Sequence, residues 1–396
     1  MINLRLDYDD MEREGIMWQT NQSCKIIVIF LWIALLMFSP CFAQKIKIEK
    51  KDDVTIVHNP KKPAKVPGAP KSLTLEEDLC IGVESGDEDY MFAQLRSVQV
   101  DEEEDIIVLD WKYNVIKVFD KNGKLIRTFG KHGQGPGEIQ GPSRMYLKGG
   151  KDIGILDTSN NRFSYFSKEG ECLKETGLGK HAMIFRAIPD SRGFIYGDTF
   201  SIEGNLRKHS ILKFDPEFNL VMTVVTFDNS LSIRELNPVR EGPVYQVMAN
   251  DRFVWAHTYE YVLHVLDPEG KLIKKIIKDH KQIKINEKEK EKMIKEMFGD
   301  EPTPSGFKIA IPKHYPPIYY LLGDNKEKIY VRTYEQDSQG KIKWDVFDEE
   351  GRYILSFFHP EEDIVFVIKN DKGYSMILES EEEGIPLVKR YKMIWE

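Results

Sequence analysis

Cysteine is scarce: four in 396 residues, of which Cys24 and Cys41 fall within the first 43. The other two, Cys80 and Cys172, stand in different repeats of the pattern described below. A disulfide framework is therefore excluded, and two buried thiols are expected. A basic excess is also missing. The net charge of −8 leaves no surplus to neutralise phosphates and excludes general nucleic-acid binding. None of the nine histidines sits in a metal-ligand spacing, and no Ser or Cys stands in a recognisable nucleophile context. Gly130, Gly133, Gly135 and Gly137 lack the following helix that a phosphate-cradling loop needs, so they read as a glycine-rich crossover.

Long apolar runs are absent except at the N-terminus. Ile26–Ala43 reads IIVIFLWIALLMFSPCFA, flanked by Lys25 and Gln44, and its uninterrupted part ends before Ser39-Pro40 after 13 residues. That is short of the roughly 20 residues a membrane span needs and right for a signal-peptide core. Cys41 and Ala43 supply small residues at −3 and −1 of a cleavage site. The acidic stretch Asp7–Glu14 is a poor n-region, which places the start at Met17. Phe38-Ser39-Pro40 before Cys41 is no lipoprotein box. Residues 1–43 are expected to be a leader removed after Ala43, leaving the protein periplasmic or extracellular. A membrane is involved only if the segment stays uncleaved. Residues 44–71, with Lys61-Lys62-Pro63 and Pro67-Gly68-Ala69-Pro70, read as a linker.

What the chain does have is a phrase used five times: an apolar residue, usually Asp, then a tight turn. It appears as FDKNG (Phe119–Gly123), FSKEG (Phe166–Gly170), FDPEF (Phe214–Phe218), LDPEG (Leu266–Gly270) and FDEEG (Phe347–Gly351), at steps of 47, 48, 52 and 81 residues. A period near 50 built of short strands indicates a β-propeller. One unit shows the grammar: Ser97–Asp101, Ile106–Asp110, Val115–Phe119 and Leu125–Gly130 make a four-stranded antiparallel blade. The last unit has three strands, Ile364–Ile368, Tyr374–Glu379 and Leu387–Trp395. The missing outer strand is available as Leu73–Ile81. The expected fold is all-β: a six-bladed propeller over 72–396, closed by that N-terminal strand, with one helical insert at 278–317.

The stretch Val98–Ile139, with VQVD, IIVLD, VIKVFDKNGKLIRTFG and KHGQGPGEI, resembles the NHL repeat, and Leu156–Phe166 (LDTSNNRFSYF) matches the middle of that pattern. The whole of 72–396 is similar to exported, mostly uncharacterised six-bladed propellers of bacteria. The resemblance implies the fold. It leaves activity open, since NHL-type propellers include binding modules, sensors and a few metal-dependent lyases and hydrolases.

Loop lengths assign the working face. Turns within strand pairs one–two and three–four are short, whereas Lys131–Pro142, Thr199–His209, Asp228–Pro243 and Lys278–Pro317 are long and share the opposite face. In the last of these, Asn286 and Glu289 form a capping box for a helix over Glu287–Phe298. Its apolar side (Met293, Ile294, Met297, Phe298) is expected to lie down across the channel mouth. On this face Trp111, Asn114, His132, Asn161 and Arg162 are candidate ligand contacts, joined by His181, Tyr259, Tyr261, His314 and Tyr334. Arg162 has the alternative task of bracing neighbouring blades.

Aligned second strands place Asp110, Asp157, Asp198, His257, Thr333 and Glu379 at equivalent ends. A ring of carboxylates there suits Ca²⁺, and three imidazoles meeting would suit Zn²⁺. The competing reading is that each Asp ends its strand by accepting N–H groups of the next turn. The expected function is a monomeric binding module for a protein, peptide or glycan, with Ca²⁺ or Zn²⁺ the only cofactor candidates. The alternative is a metal-dependent hydrolase or lyase with its ion at the channel mouth.

Overall fold

The recurring phrase is a hairpin turn in which four of the five copies share one set of side-chain hydrogen bonds and the fifth, at Asp348, keeps the bond from the Arg352 N–H. In the first copy the Asp120 carboxylate accepts backbone N–H bonds from Asn122 (2.8 Å) and Lys124 (2.9 Å). Asp215 and Asp267 each receive the same two bonds, and Ser167 uses its hydroxyl in their place. Four copies close on a glycine at φ between 82° and 93°, a region where a Cβ is costly. The fifth has Phe218 there, at φ 64°, held by burial with its ring 5.0 Å from that of Phe214. The apolar residue that opens each copy is buried and sits at a register shift between its two strands.

The computed structural model describes residues 45–396 except 180–182, 300, 302 and 379–383; the expected leader, His181 and Glu379 lie outside the described residues. Five four-stranded antiparallel sheets and one sheet of six, four of whose strands form the fourth blade, make a six-bladed β-propeller. Their innermost strands are Leu95–Val100, Pro142–Lys148, Ile184–Pro189, Pro243–Val247, Tyr320–Gly323 and Asp363–Lys369, and each touches the next around a closed ring. The sixth sheet takes its outer strand from the other end of the chain: Leu73–Ile81 runs antiparallel to Leu387–Trp395. Just beyond, Ser72 and Glu396 exchange backbone bonds at 3.2 Å in both directions.

Blades are also laced by cations. Arg127 donates to the Glu169 carbonyl (3.1 Å), Lys174 to Pro216 (2.7 Å), Lys213 to Pro268 (2.7 Å) and Lys274 to Glu349 (2.6 Å). Arg390 of the sixth blade reaches Lys121 of the first. Each acceptor carbonyl belongs to the repeated turn of the following blade, so the turn that shapes one sheet also anchors its neighbour. Between blades four and five a buried group does more. Asp345 receives the Tyr261 hydroxyl (2.5 Å) and the Tyr353 hydroxyl (2.6 Å), and lies 3.2 Å from the Lys278 ammonium. All polar atoms there are paired, which is what makes burying the charge tolerable.

Four expectations need correction. Residues 44–71 are not a plain linker: Lys47–Lys51 and Val54–Asn59 form a hairpin that adds to the fourth blade, with Val54–Asn59 parallel to Leu272–Lys278. Alternation in VTIVHN is the cause, and buried Asn59 fixes the dock by donating to the Gly351 carbonyl and accepting from the Tyr353 N–H. Thr199–His209 is not an irregular loop, because pairing continues to Glu203 and Leu206 around a two-residue turn. Cys80 and Cys172 are free, as foreseen, but exposed, since both lie on outermost strands. The helix Glu287–Phe298 forms with its capping box, yet it buries none of its residues and turns a largely charged face inward, as described below.

A chain beginning at Ser72 loses the hairpin and the Asn59 link and is expected to melt at lower temperature while keeping six blades. One beginning at Gly82 leaves Leu387–Trp395 as an open edge and is expected to aggregate. Circular dichroism melts with size-exclusion chromatography check both; a cooperative, monodisperse Gly82 chain would show the shared blade to be dispensable.

Candidate functional site

The inner strands leave a central cavity of about 1610 Å³. Its wall is defined by register. Arg144 pairs with Leu156 and Arg186 with Asp198, corresponding positions in blades two and three, so both side chains issue from the same level. Arg96 sits at the register shift that opens blade one. Arg240 comes from the crossover into blade four, and Arg332 from the second strand of blade five, opposite Tyr320. All five line the cavity.

Their partners are rings and carbonyls more than carboxylates. Arg186 lies 4.4 Å from the centre of the Tyr245 ring and donates to the Tyr245 carbonyl (3.1 Å). Arg332 lies 4.2 Å and Arg240 5.9 Å from the Tyr319 ring; Arg144 faces Phe366 at 5.6 Å. Arg96 donates to the Ser143 carbonyl. Only Arg332 has a carboxylate in reach, Glu361 at 3.8 Å. Among the described residues Arg96, Arg144, Arg186 and Arg240 make no ion pair. Burial, and after it the Arg186 cation, presses the proton affinity of Arg240 below that of an ordinary guanidinium; in Arg144 burial is again the largest cause, with Arg186 and Arg96 adding to it. Four guanidinium groups thus share a confined space with no ion pair of their own among the described residues. Asp198 favours the charge of Arg186, and carboxylates line other parts of the same cavity. It is therefore beside Arg144 and Arg240 that a bound anion would relieve most repulsion.

The insert covers one end. Glu289, Lys292, Met293 and Glu296 line the cavity, a set at helical spacings of three and four that makes one face. The expected apolar underside is therefore replaced by a charged face with Met293 alone among the four apolar residues, which suits a water-filled mouth better than a dry contact. The insert is held by its two-residue strands: Ile283–Lys284 pairs with His314–Tyr315, and Lys308–Ile309 with Glu235–Leu236. Tyr315 and Tyr334 stack at 4.8 Å, and burial pushes the Tyr315 phenol up to about 12, so it remains a proton donor at neutral pH.

Most candidates from the sequence lie elsewhere. Tyr334 lines the cavity with Thr333. Trp111 borders a separate hollow of about 270 Å³ with Arg96 and Ser143. Asn114 bonds His132 (3.2 Å), Asn161 holds a positive φ in the turn after Asp157, and Arg162 braces the crossover by donating to the Gly135 and Glu138 carbonyls. Tyr261 is buried on Asp345. Tyr259 meets Asn237, and His314 belongs to the insert.

The proposed metal set is not assembled. Asp110 accepts from the N–H groups of Ala93, Gln94 and Lys112, and Asp157 from those of Gln140, Gly141 and Asn160 together with the Asn160 amide. Their oxygens already serve loops of their own blades. Asp198 is one residue out of register with them, since the Ile195–Glu203 strand puts Thr199 at the equivalent level, and it accepts the Tyr245 hydroxyl at 2.6 Å. His257 packs on Phe227. Among the described residues no three His, Cys, Asp or Glu side chains come together as metal ligands.

The cavity arginines escape a reading that places ligand contacts on loops, because Arg96, Arg144 and Arg186 lie on inner strands. A signal was present: Leu95-Arg96-Ser97, Ser143-Arg144-Met145 and Phe185-Arg186-Ala187 put a cation near the start of three successive inner strands.

Residues 86–239 match the family DUF5128, described as a 6-bladed beta-propeller. No curated protein matches the sequence. Among solved structures, an inferred exported protein of Bacteroides fragilis NCTC 9343 is 11% identical, with 86% of this chain and 99% of that chain covered at a TM-score of 0.54. A member of the duf4221 family from Bacteroides vulgatus is also 11% identical, covering 83% and 100% at 0.51. Virginiamycin B lyase from Staphylococcus aureus is 9% identical, covering 82% and 100% at 0.41, a level that carries no argument about activity. The likeness is one of fold.

Asp157→Ala is expected to lower stability by about 2–3 kcal/mol, because it strands several buried N–H groups, and calcium is expected to leave the urea midpoint of both proteins unchanged. Calcium protection of the native protein that the variant loses would instead make Asp157 a ligand.

Proposed function

We propose that this chain is an exported binding protein that admits part of a glycan or peptide into its channel from the long-loop face. The observation that carries the reading is the cavity itself. At about 1610 Å³ it exceeds the 300–1,000 Å³ usual for one small molecule, and its wall offers planar groups, tyrosine rings and guanidinium forks, from several blades. Such side chains give contact area and directed hydrogen bonds at small entropic cost.

Binding is favoured over hydrolysis by the wall chemistry. Among the described residues no histidine or cysteine lines the cavity. Of its carboxylates, Glu335 lies 3.3 Å from Lys343 and Glu361 is shared with Arg332. Export is supported by the leader-like Ile26–Ala43 and by the shared architecture of the Bacteroides fragilis protein. The NHL-like stretch Val98–Ile139 fits the same role.

The test is a glycan and peptide array probed with residues 44–396, followed by calorimetry on hits. Tyr334→Ala and Met293→Ala, one on the wall and one on the insert, are each expected to weaken binding at least about tenfold, the loss of one good contact. Unchanged affinity in both variants would put the ligand outside the channel and end this reading.

A further inference from the structure

We infer that the ligand is an acidic glycan, a saccharide bearing carboxylate or sulfate groups, whose oxyanions are held by Arg144, Arg186 and Arg240. This deepens the channel-binding reading and rests on it.

The first step is electrostatic. Three guanidinium groups from blades two, three and four face one cavity, and none has a carboxylate within ion-pair distance among the described residues. Arg186 has Asp198 near enough to favour its charge, yet it keeps an open donor. Its Nη2 is committed to the Tyr245 carbonyl (3.1 Å), and its buried Nε has no partner among the described residues. Guanidinium groups stacked on tyrosine faces keep their N–H edges directed outward from the ring, the geometry that grips a planar carboxylate or a tetrahedral sulfate by paired bonds. Arg186 also ties blade three to blade four through Tyr245. Arg144 and Arg240 have ring contacts but, among the described residues, no hydrogen bond to another blade, and the braces on the outer turns come from other residues.

The second step separates a saccharide from an acidic peptide. The wall is not uniformly positive: Glu289 and Glu296 of the insert, Glu335, Glu361 and, at the far end, Glu102, Asp190 and Asp251 also line it. A run of acidic side chains would meet these as like charges. A uronic or sulfated sugar spaces its charges one ring apart and carries hydroxyl groups between them, which donate to carboxylates while the oxyanions take the arginines. The phenol of Tyr315 and the stacked Tyr315–Tyr334 pair add hydrogen-bond donors and flat apolar surface that a pyranose face can cover.

The experiment titrates residues 44–396 with hexagalacturonate, a neutral hexaose of glucose, hexaglutamate and sodium sulfate, holding ionic strength constant with sodium chloride so that general salt effects cancel. Hexagalacturonate is expected to bind at least about tenfold more tightly than each of the others, the difference one charge-assisted contact makes. Arg144→Gln and Arg240→Gln are each expected to lose about 10- to 100-fold of that affinity, and without ligand to melt at the same or a higher temperature, because like charges have been separated. That pairing of lost binding with retained stability is one a structural arginine would not give.

Equal binding of the neutral hexaose would remove charge from the recognition while leaving channel binding intact. Preference for hexaglutamate or for sulfate alone would overturn the saccharide assignment. Failure of all four probes, with both variants melting lower than the native chain, would show the arginines to be structural. Affinity for hexagalacturonate that survives the arginine, Tyr334 and Met293 substitutions together would fail the channel reading itself.

Discussion

Every other feature of this molecule depends on the ring being closed, and closure is a backbone interaction between the two ends of the chain. Leu73–Ile81 completes the sheet that Leu387–Trp395 would otherwise leave with an open edge. Without it the sixth blade has three strands, and Arg390 loses its salt bridge to Asp78 (2.8 Å) while it reaches Lys121 in the first blade. The bond is local, yet its effect is global. A propeller blade is a twisted sheet with one neighbour on each side, and its apolar faces are covered only when both neighbours are present.

The repeated turn shows how one short phrase can serve three levels at once. Its carboxylate or hydroxyl satisfies two N–H groups, its glycine permits the positive φ, and its leading apolar residue is buried between sheets. Its outward carbonyl then receives a cation from the previous blade. Three of these donors recur with the phrase, since Arg127, Lys174 and Lys274 each stand eight residues after its opening apolar residue and face the residue before it across the strand pair. Lys213 and Arg390 reach the next turn from the third strand of their blades instead. Most of the five donors carry a net charge into partly exposed positions, where a lysine stem can cover apolar surface and its head can cap a carbonyl.

Fold was legible because its signals are periodic and local. The FDKNG-type turns, the alternating strands and the Asn286–Glu289 cap each depend on residues a few positions apart. The failures came where a local signal was ambiguous. Residues 44–71 are rich in lysine and proline, and that composition hid the short alternating segment Val54–Asn59, whose docking depends on Gly351 and Tyr353, nearly 300 positions away. The helix of the insert was found, but its inward face was not. Hydrophobicity orients a helix correctly only where the surface beneath it is apolar, and here that surface is a polar cavity.

The candidate site was harder for a deeper reason. Asp110 and Asp157 are conspicuous in the sequence because they recur, and they recur because strand ends need an acceptor for the loop that follows; a repeated requirement produces a repeated residue. A binding site in a propeller breaks the repeat, since a ligand is not six-fold symmetric. Arg144 and Arg186 share a level, but the corresponding residues of the other blades are Ser97, Val244, Tyr320 and Ile364. At this level cations come from blades two and three, and apolar or small side chains from the rest. That asymmetry costs stability, because clustered guanidinium groups repel one another in a confined space. Structural economy would scatter them or give each a carboxylate, as it does for Lys168 with Asp101 and Asp105. The departure from the repeat, together with the lack of an ion pair at Arg144, Arg186 and Arg240 among the described residues, is what singles out this wall as the part of the molecule shaped by something other than folding.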